Sequence, residues 1–356
     1  MSENRPLVLA TNDDVVDELS RLAAAAGCEL ERVPDVSAAR ARWLSAPLVL
    51  LDPGGVRECH AAHLPRRDRI IVVSPETTDI SSLQGALELG AERVVELPVA
   101  GAWLSECFAD TAEGPSGPPG RVLSVIGGRG GAGASVFAGA VAMAAARAGH
   151  STMLVDCDPM AGGLDLVLGA ENEQGLRWPD IRVRSGRVAC SSLRAALPSL
   201  GGVKLLSGAR KGFAPEPDAV TAVVQASKRG GDVVVCDLPR AMSETVAAAL
   251  DLTDLTVIVV PAELRATTSA SRIAERLAER GVTARVLVRG PAPDGLRAQE
   301  IADAIDLPLL AWMPYQRGLA VDLEKGRFSE RRGPLGAAAR LTLEVLGVQH
   351  KLRRAS

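Results

Sequence analysis

The sequence predicts an α/β protein of two domains with mainly parallel sheets, the second built on a phosphate-binding loop. Three observations carry this. Strand-like and helix-like runs alternate through residues 7–107, and a Gly/Pro/Ser-rich segment interrupts them at 109–121. An apolar run then breaks into glycines at 122–135, VLSVIGGRGGAGAS, and gives way to the Ala-rich stretch FAGAVAMAAARAG. Alternating strands and helices make a parallel sheet covered on both faces. At 356 residues the chain has the length of about two domains, and 47% apolar residues suffice for sizeable cores. The expected boundaries are a first domain at 1–108, a linker at 109–121 and a second domain at 122–356.

Composition narrows the function classes. A net charge of −3 argues against a nucleic-acid-binding surface spread over the whole protein, so DNA is not favoured as a partner. The six cysteines (Cys28, Cys59, Cys107, Cys157, Cys190 and Cys236) form no CxxC pair and no metal-like cluster with the four histidines. Buried thiols in a reducing cytosol are expected. The N-terminus MSENRPLVLA has no extended apolar core, and no stretch approaches roughly 18 consecutive apolar residues. Neither export nor a membrane span is expected, which gives a cytoplasmic placement.

In the first domain the runs are LVLA, VVDELSRLAAAAG, ELERV, AARARWL, LVLLD, RIIVVS, SLQGALELG and RVVEL. Their order and spacing resemble the flavodoxin-like receiver domains of response regulators. In that comparison Asp52 takes the phosphoacceptor position after the third strand, and Ser74 the hydroxyl position after the fourth. Thr11 and Asn12 stand near the acidic-pair positions, and Leu97 replaces the Lys before Pro98. Without the acidic pair, Mg²⁺ is poorly held and an incoming phosphoryl group poorly stabilised. The resemblance therefore implies a degenerate receiver used for docking or dimerisation, in preference to a phosphorylated switch.

The second domain opens as strand, glycine loop and helix. From Gly128 the spacing fits the P-loop: Gly, four residues, Gly133, then a Lys position, then Ser135. Ala134 stands where the Lys belongs. Gly128, Arg129, Gly130, Gly131, Ala132, Gly133 and Ala134 would form the cradle, with main-chain N–H groups and the positive end of the next helix facing phosphates. The next strand, STMLVDCDP, ends in Asp156 and Asp158, and two carboxylates one residue apart point the same way on an extended strand. Asp237 closes the apolar run GDVVVCDLP, as a Walker-B carboxylate does. The Ser135 hydroxyl can bind Mg²⁺, and of Asp156 and Asp158 one could order Mg²⁺ or its water while the other orients the attacking water. The later strands LTVIVVP, ARVLVR and LPLLAWMP extend the sheet.

The set GGRGGAGAS, VDCDPMAGGLDLVLG, VVVCDLPR and VIVVPAELRATTSA resembles the deviant-Walker ATPases of the MinD and ParA group. That resemblance implies ATP and Mg²⁺ as cofactors and a homodimer. It places Arg129 at the Lys that reaches across the dimer, Ala134 at the phosphate-binding Lys, Ser135 at the Mg²⁺ ligand, Asp237 at Walker B and Asp158 at the water-orienting Asp, so that Ser135, Asp156 and Asp237 are the expected Mg²⁺ ligands; Arg289 falls where an adenine-contacting Asn usually stands. A receiver-like domain ahead of such an ATPase resembles the CpaE and TadZ branch, which positions pilus or secretion machinery at the cell pole. GLRWPDI, CDLPR and VRGPAPDGLRA further resemble the actinobacterial septum-site-determining (Ssd) proteins. The implied role is spatial regulation of septum formation by a nucleotide-binding or pseudo-ATPase dimer, with recruitment to septum, pole or inner membrane surface. The alternatives are a pilus-positioning factor, an active ATPase and a scaffold that holds no nucleotide. Hydrolysis is expected to be weak or absent.

Two basic features have plainer alternatives. Arg177, Trp178, Arg182, Arg184 and Arg187 read as a solvated loop with one packed Trp, in preference to a partner surface. Lys325, Arg327, Arg331 and Arg332 cluster ahead of PLGAAARLTLEVLGV, and Lys351, Arg353 and Arg354 follow it. Its Leu335, Ala338, Ala339, Thr342, Val345 and Leu346 fall at helical spacing without aromatics, which favours a helix packed on the sheet over a peripheral membrane anchor.

Overall fold

The computed structural model describes residues 5–75, 80–112, 119–181, 188–208, 214–292, 295–329 and 331–349. It divides into two compact units, Met1–Ser116 and Gly117–Ser356.

The first unit alternates β1 (Leu7–Leu9), α1 (Asp13–Ala25), β2 (Glu31–Arg32), α2 (Val36–Arg42), β3 (Val49–Leu51), α3 (Pro53–Ala61), β4 (Ile70–Ser74), α4 (Ile80–Leu89), β5 (Ala91–Glu96) and α5 (Gly101–Ala112). The strands lie in the parallel order β2-β1-β3-β4-β5, the flavodoxin-like arrangement. Period-two alternation sends Leu7, Leu9, Val49 and Leu51 to one face and Val8, Leu48 and Leu50 to the other. Side-chain caps start the helices: Asn12 accepts from Val15 N, Asp35 from Ala38 N and Asp52 from Gly55 N. Helix α5 runs to Ala112, so it takes in the first residues of the segment read as linker.

The second unit contains β6 (Arg121–Gly127), α6 (Ala134–Arg147), β7 (Thr152–Asp156), α7 (Leu164–Leu168), α8 (Cys190–Ala196), β8 (Ser199–Leu200), β9 (Val203–Leu206), α9 (Pro217–Arg229), β10 (Val233–Leu238), α10 (Glu244–Leu250), β11 (Leu255–Pro261), α11 (Leu264–Glu279), β12 (Ala284–Arg289), α12 (Ala298–Ile305), β13 (Leu309–Met313), α13 (Leu319–Glu324) and α14 (Gly333–Val345). Its sheet runs β13-β12-β11-β6-β10-β7-β9-β8, and among the described residues only β8 pairs antiparallel. Strand β6 is central, and the chain continues to either side of it, so its carboxyl end is the switch point where α/β sheets bind ligands.

Helix α6 is apolar on nearly all sides because it lies between the sheet and α14. Leu335, Ala338, Ala339, Thr342 and Leu346 of the C-terminal segment are buried there; Val345, expected in the same stripe, is 38% exposed. Among the described residues no helix is long and apolar enough to cross a membrane. All six cysteines are buried thiols. Arg182, Arg184, Arg187, Lys351, Arg353 and Arg354 lie outside the described residues.

Candidate functional site

The phosphate loop connects β6 to α6 and lines a cavity of about 400 Å³ at the carboxyl edge of the sheet. Gly131 (φ +70°) and Gly133 (φ +92°) take left-handed conformations that L side chains rarely adopt, and Gly133 caps α6. Gly127, Gly130, Gly131, Ala132, Gly133, Ala134 and Ser135 all border this cavity; Gly128 lies behind it, packed toward Val260, Ala266 and Ala270.

The carboxylates divide between two environments. Asp158 and Asp237 face the cavity. The Ser135 hydroxyl donates to Asp237, and burial pushes that carboxyl up to about 7, with the charges of Asp156 and Asp158 adding to the effect. Asp156, expected beside them as a metal ligand, does not line the cavity. Its carboxylate accepts from Leu164 N (3.0 Å), Asp158 N (3.2 Å) and the Ser207 hydroxyl (3.2 Å), so it anchors the turn into α7. The one-residue spacing from Asp158 does not bring both to one face, because β7 ends at Asp156 and the chain leaves the extended conformation there. Trp178, also fully buried, donates its indole N–H to the Asp156 carbonyl at 2.6 Å.

Within the chain, Arg129 bonds Glu263 at 2.8 Å and the Gly130 carbonyl at 2.9 Å. Arg289 reaches from the end of β12 to donate to the Ala132 carbonyl at 3.0 Å, and Arg240 also lines the cavity. Arg289 also borders a smaller, apolar cavity of about 140 Å³ formed with Val136, Met313, Pro314, Tyr315 and Leu319. Neither Glu263 nor the crossing of Arg289 had a local signal in the sequence; each joins segments more than 130 positions apart.

The donor set fits a magnesium nucleotide. A left-handed glycine loop at a helix N-terminus suits phosphate, the oxygens of Ser135 and Asp237 facing the cavity suit a hard divalent cation, and an apolar cavity adjoins the loop. Among the described residues there is no cluster of three or more His, Cys, Asp or Glu side chains able to hold a metal alone.

At the corresponding edge of the first unit, the buried Asp52 carboxylate accepts from Thr11 N (2.8 Å), the Thr11 hydroxyl (2.9 Å), Asn12 N (2.8 Å) and Gly55 N (2.6 Å). Thr11 and Asn12, at the acidic-pair positions, thus hold the carboxylate by hydrogen bonds.

These two sites on these two sheets define a CheY-like domain followed by a P-loop domain of the MinD/ParA class. Residues 9–119 match the family described as "Rv3660c-like, CheY-like N-terminal domain", and residues 121–282 match "Cellulose biosynthesis protein BcsQ". Over 342 residues the chain is 42% identical to uncharacterized protein Rv3660c of Mycobacterium tuberculosis, covering 95% of this chain and 97% of that protein. The chain belongs to the family of that mycobacterial protein. Among solved structures it resembles a ParA family ATPase from Chlorobium tepidum TLS (TM-score 0.57, 18% identical, 64% of this chain and 98% of that one). It also resembles the septum site-determining protein MinD complexed with Mg-ADP from Pyrococcus horikoshii OT3 (TM-score 0.50, 20% identical, 63% and 95%). At these identities the likeness is one of fold.

Proposed function

We propose that the protein is a nucleotide-binding spatial regulator of septum formation and cell division that acts as a dimer with little or no hydrolysis. The observation that carries this is a phosphate loop with its left-handed glycines, Ser135 and Asp237 in place, and Ala134 at the lysine position. When bound, a Mg²⁺–nucleotide would supply phosphate charge and a divalent cation; Ser135 and Asp237 would hold the cation, and the loop N–H groups would hold the phosphates. Asp158, which lines the same cavity, would orient water. Ala134 offers no charge to a transferring phosphoryl group, and loss of one such cation in other phosphoryl-transfer enzymes costs roughly 10³–10⁵ in rate. Binding without turnover still regulates, because a ligand favours whichever state it binds better.

A dimer through the loop face is supported by the exposed apolar side chains there. Met160 lies two residues beyond Asp158, Met242 two beyond Arg240, and Leu264 next to Glu263; they are 91%, 38% and 67% exposed. The division role rests on the MinD likeness and on the Ssd-type motifs. The order of a CheY-like domain before the P-loop domain favours a second reading, positioning of Tad-type pilus or secretion machinery. Titration of the full chain with ATP and Mg²⁺, followed by sedimentation and phosphate release, tests the biochemical reading: binding with an increase in mass and almost no phosphate is expected. Absence of binding leaves a scaffold, and brisk turnover lost in Asp158→Ala leaves an ATPase. A fluorescent fusion at the septum or at the pole separates the two cellular roles.

A further inference from the structure

We propose that Arg289 is the cation that holds bound phosphates at this site, supplying from strand β12 a ground-state binding charge, while the lysine's contribution to phosphoryl transfer stays absent at Ala134 and little hydrolysis is still expected. The inference rests on the nucleotide reading above and names the residue that makes it work.

Three arginines line the loop cavity, and their surroundings differ. Arg129 is engaged through both terminal nitrogens, Nη2 with Glu263 and Nη1 with the Gly130 carbonyl, and its buried Nε has no acceptor among the described residues. Arg240 is exposed, so solvent screens its charge. Arg289 is half-buried and bonded to the loop itself, through Nη1 to the Ala132 carbonyl at 3.0 Å. Among the described residues its other guanidinium N–H groups have no protein acceptor. A planar fork with one prong fixed and the rest unspent is preorganised for phosphate oxygens.

The loop is shaped around this side chain. The φ of +92° requires glycine at 133, and Nη1 of Arg289 lies directly over that turn, 2.7 Å from where a Cβ would stand. The approach is possible because β12 is separated from β6 only by β11, and in register with Arg289 that strand has Pro261, its last residue. A side chain of arginine's length crosses that gap. Its guanidinium then stands where the phosphate cavity meets the apolar cavity, since Arg289 borders both. That is the passage a nucleotide must span, with phosphates on one side and base on the other.

The test uses the full-length protein, with binding of Mg-ATP and of inorganic tripolyphosphate followed by calorimetry. Arg289→Ala should weaken both ligands at least tenfold, as removal of a charge-assisted bond does, with apo thermal stability close to wild type. Arg289→Lys keeps the charge without the fork and should fall between. Ala134→Lys added to Arg289→Ala should recover most of the lost affinity, because the charge returns on the loop. Equal binding by wild type and Arg289→Ala overturns the inference and leaves the nucleotide reading standing. A penalty seen with ATP and absent with tripolyphosphate also overturns it, since Arg289 then recognises base or ribose. A wild type that binds neither ligand removes both readings together.

Discussion

The indole N–H of Trp178 donates to the main-chain oxygen of Asp156 at 2.6 Å, so a fully buried aromatic fixes the end of the strand that leads into Asp158. Trp178→Phe keeps most of the packing and loses the donor; a loss of about 1–3 kcal/mol in unfolding free energy is expected from the unpaired buried carbonyl. Trp178→Ala adds a cavity and should cost about 3–5 kcal/mol. Denaturant titration of both variants checks this, and a phenylalanine variant as unstable as the alanine one would show that the hydrogen bond dominates the packing.

Arg194 pairs with Asp232 at 2.5 Å, and the carboxylate side of the pair is 1% exposed. Burial pushes the Asp232 carboxyl up, and Arg194 opposes that shift. Arg194→Met should destabilise the P-loop domain by about 3–5 kcal/mol, because it leaves a buried charge without compensation. Replacing both partners, Arg194→Met with Asp232→Asn, should return a large part of the loss.

Asp237 gives the folded protein a definite pH dependence. Its carboxyl is raised to about 7 in the folded state, above the value of about 4 in an unfolded chain. Its contribution is therefore fully present below pH about 4 and is lost as pH rises toward about 7, where the folded state holds a proton that the unfolded state has released. The expected slope is a fall of about 1.4 kcal/mol per pH unit across that window. Asp237→Asn should flatten this part of the stability profile. Mg²⁺–nucleotide binding below pH about 7 should release a proton, read by calorimetry in buffers of different ionisation enthalpy.

Asp52 is consumed by its neighbours. Incubation with a small phosphoryl donor and Mg²⁺ should leave it unmodified, because its oxygens already serve Thr11, Asn12 and Gly55. Stoichiometric labelling that vanishes in Asp52→Asn would overturn this. Asp52→Ala should instead act on folding, lowering stability by about 1–3 kcal/mol through the lost cap and the unpaired donors.

Much of this architecture was legible because parallel strands buried on both faces read as continuous apolar runs, as LTVIVVP does. Helix α3 was not. It opens with Pro53, Gly54 and Gly55, poor helix formers, and it packs so close to β1 that a Cβ at Gly54 would strike the Thr11 side chain and one at Gly55 the Leu9 carbonyl. The glycines permit close packing that no local pattern announces. In the site, the glycine loop and Ser135 stand out because they form one contiguous stretch, and Asp237 because it ends an apolar run. The inward turn of Asp156 toward Ser207, the hold of Glu263 on Arg129 and the crossing of Arg289 depend on the sheet order, which brings distant segments together.

The left-handed turns at Gly131 and Gly133 make the form of the cradle a property of the main chain alone. Form and charge can then be inherited separately. A lineage that keeps those two glycines can relocate its cation from the loop to a neighbouring strand, as Ala134 and Arg289 would record, without rebuilding the cradle around it. Variation at positions 129, 134 and 289 in such a lineage should therefore be correlated, while 131 and 133 stay fixed.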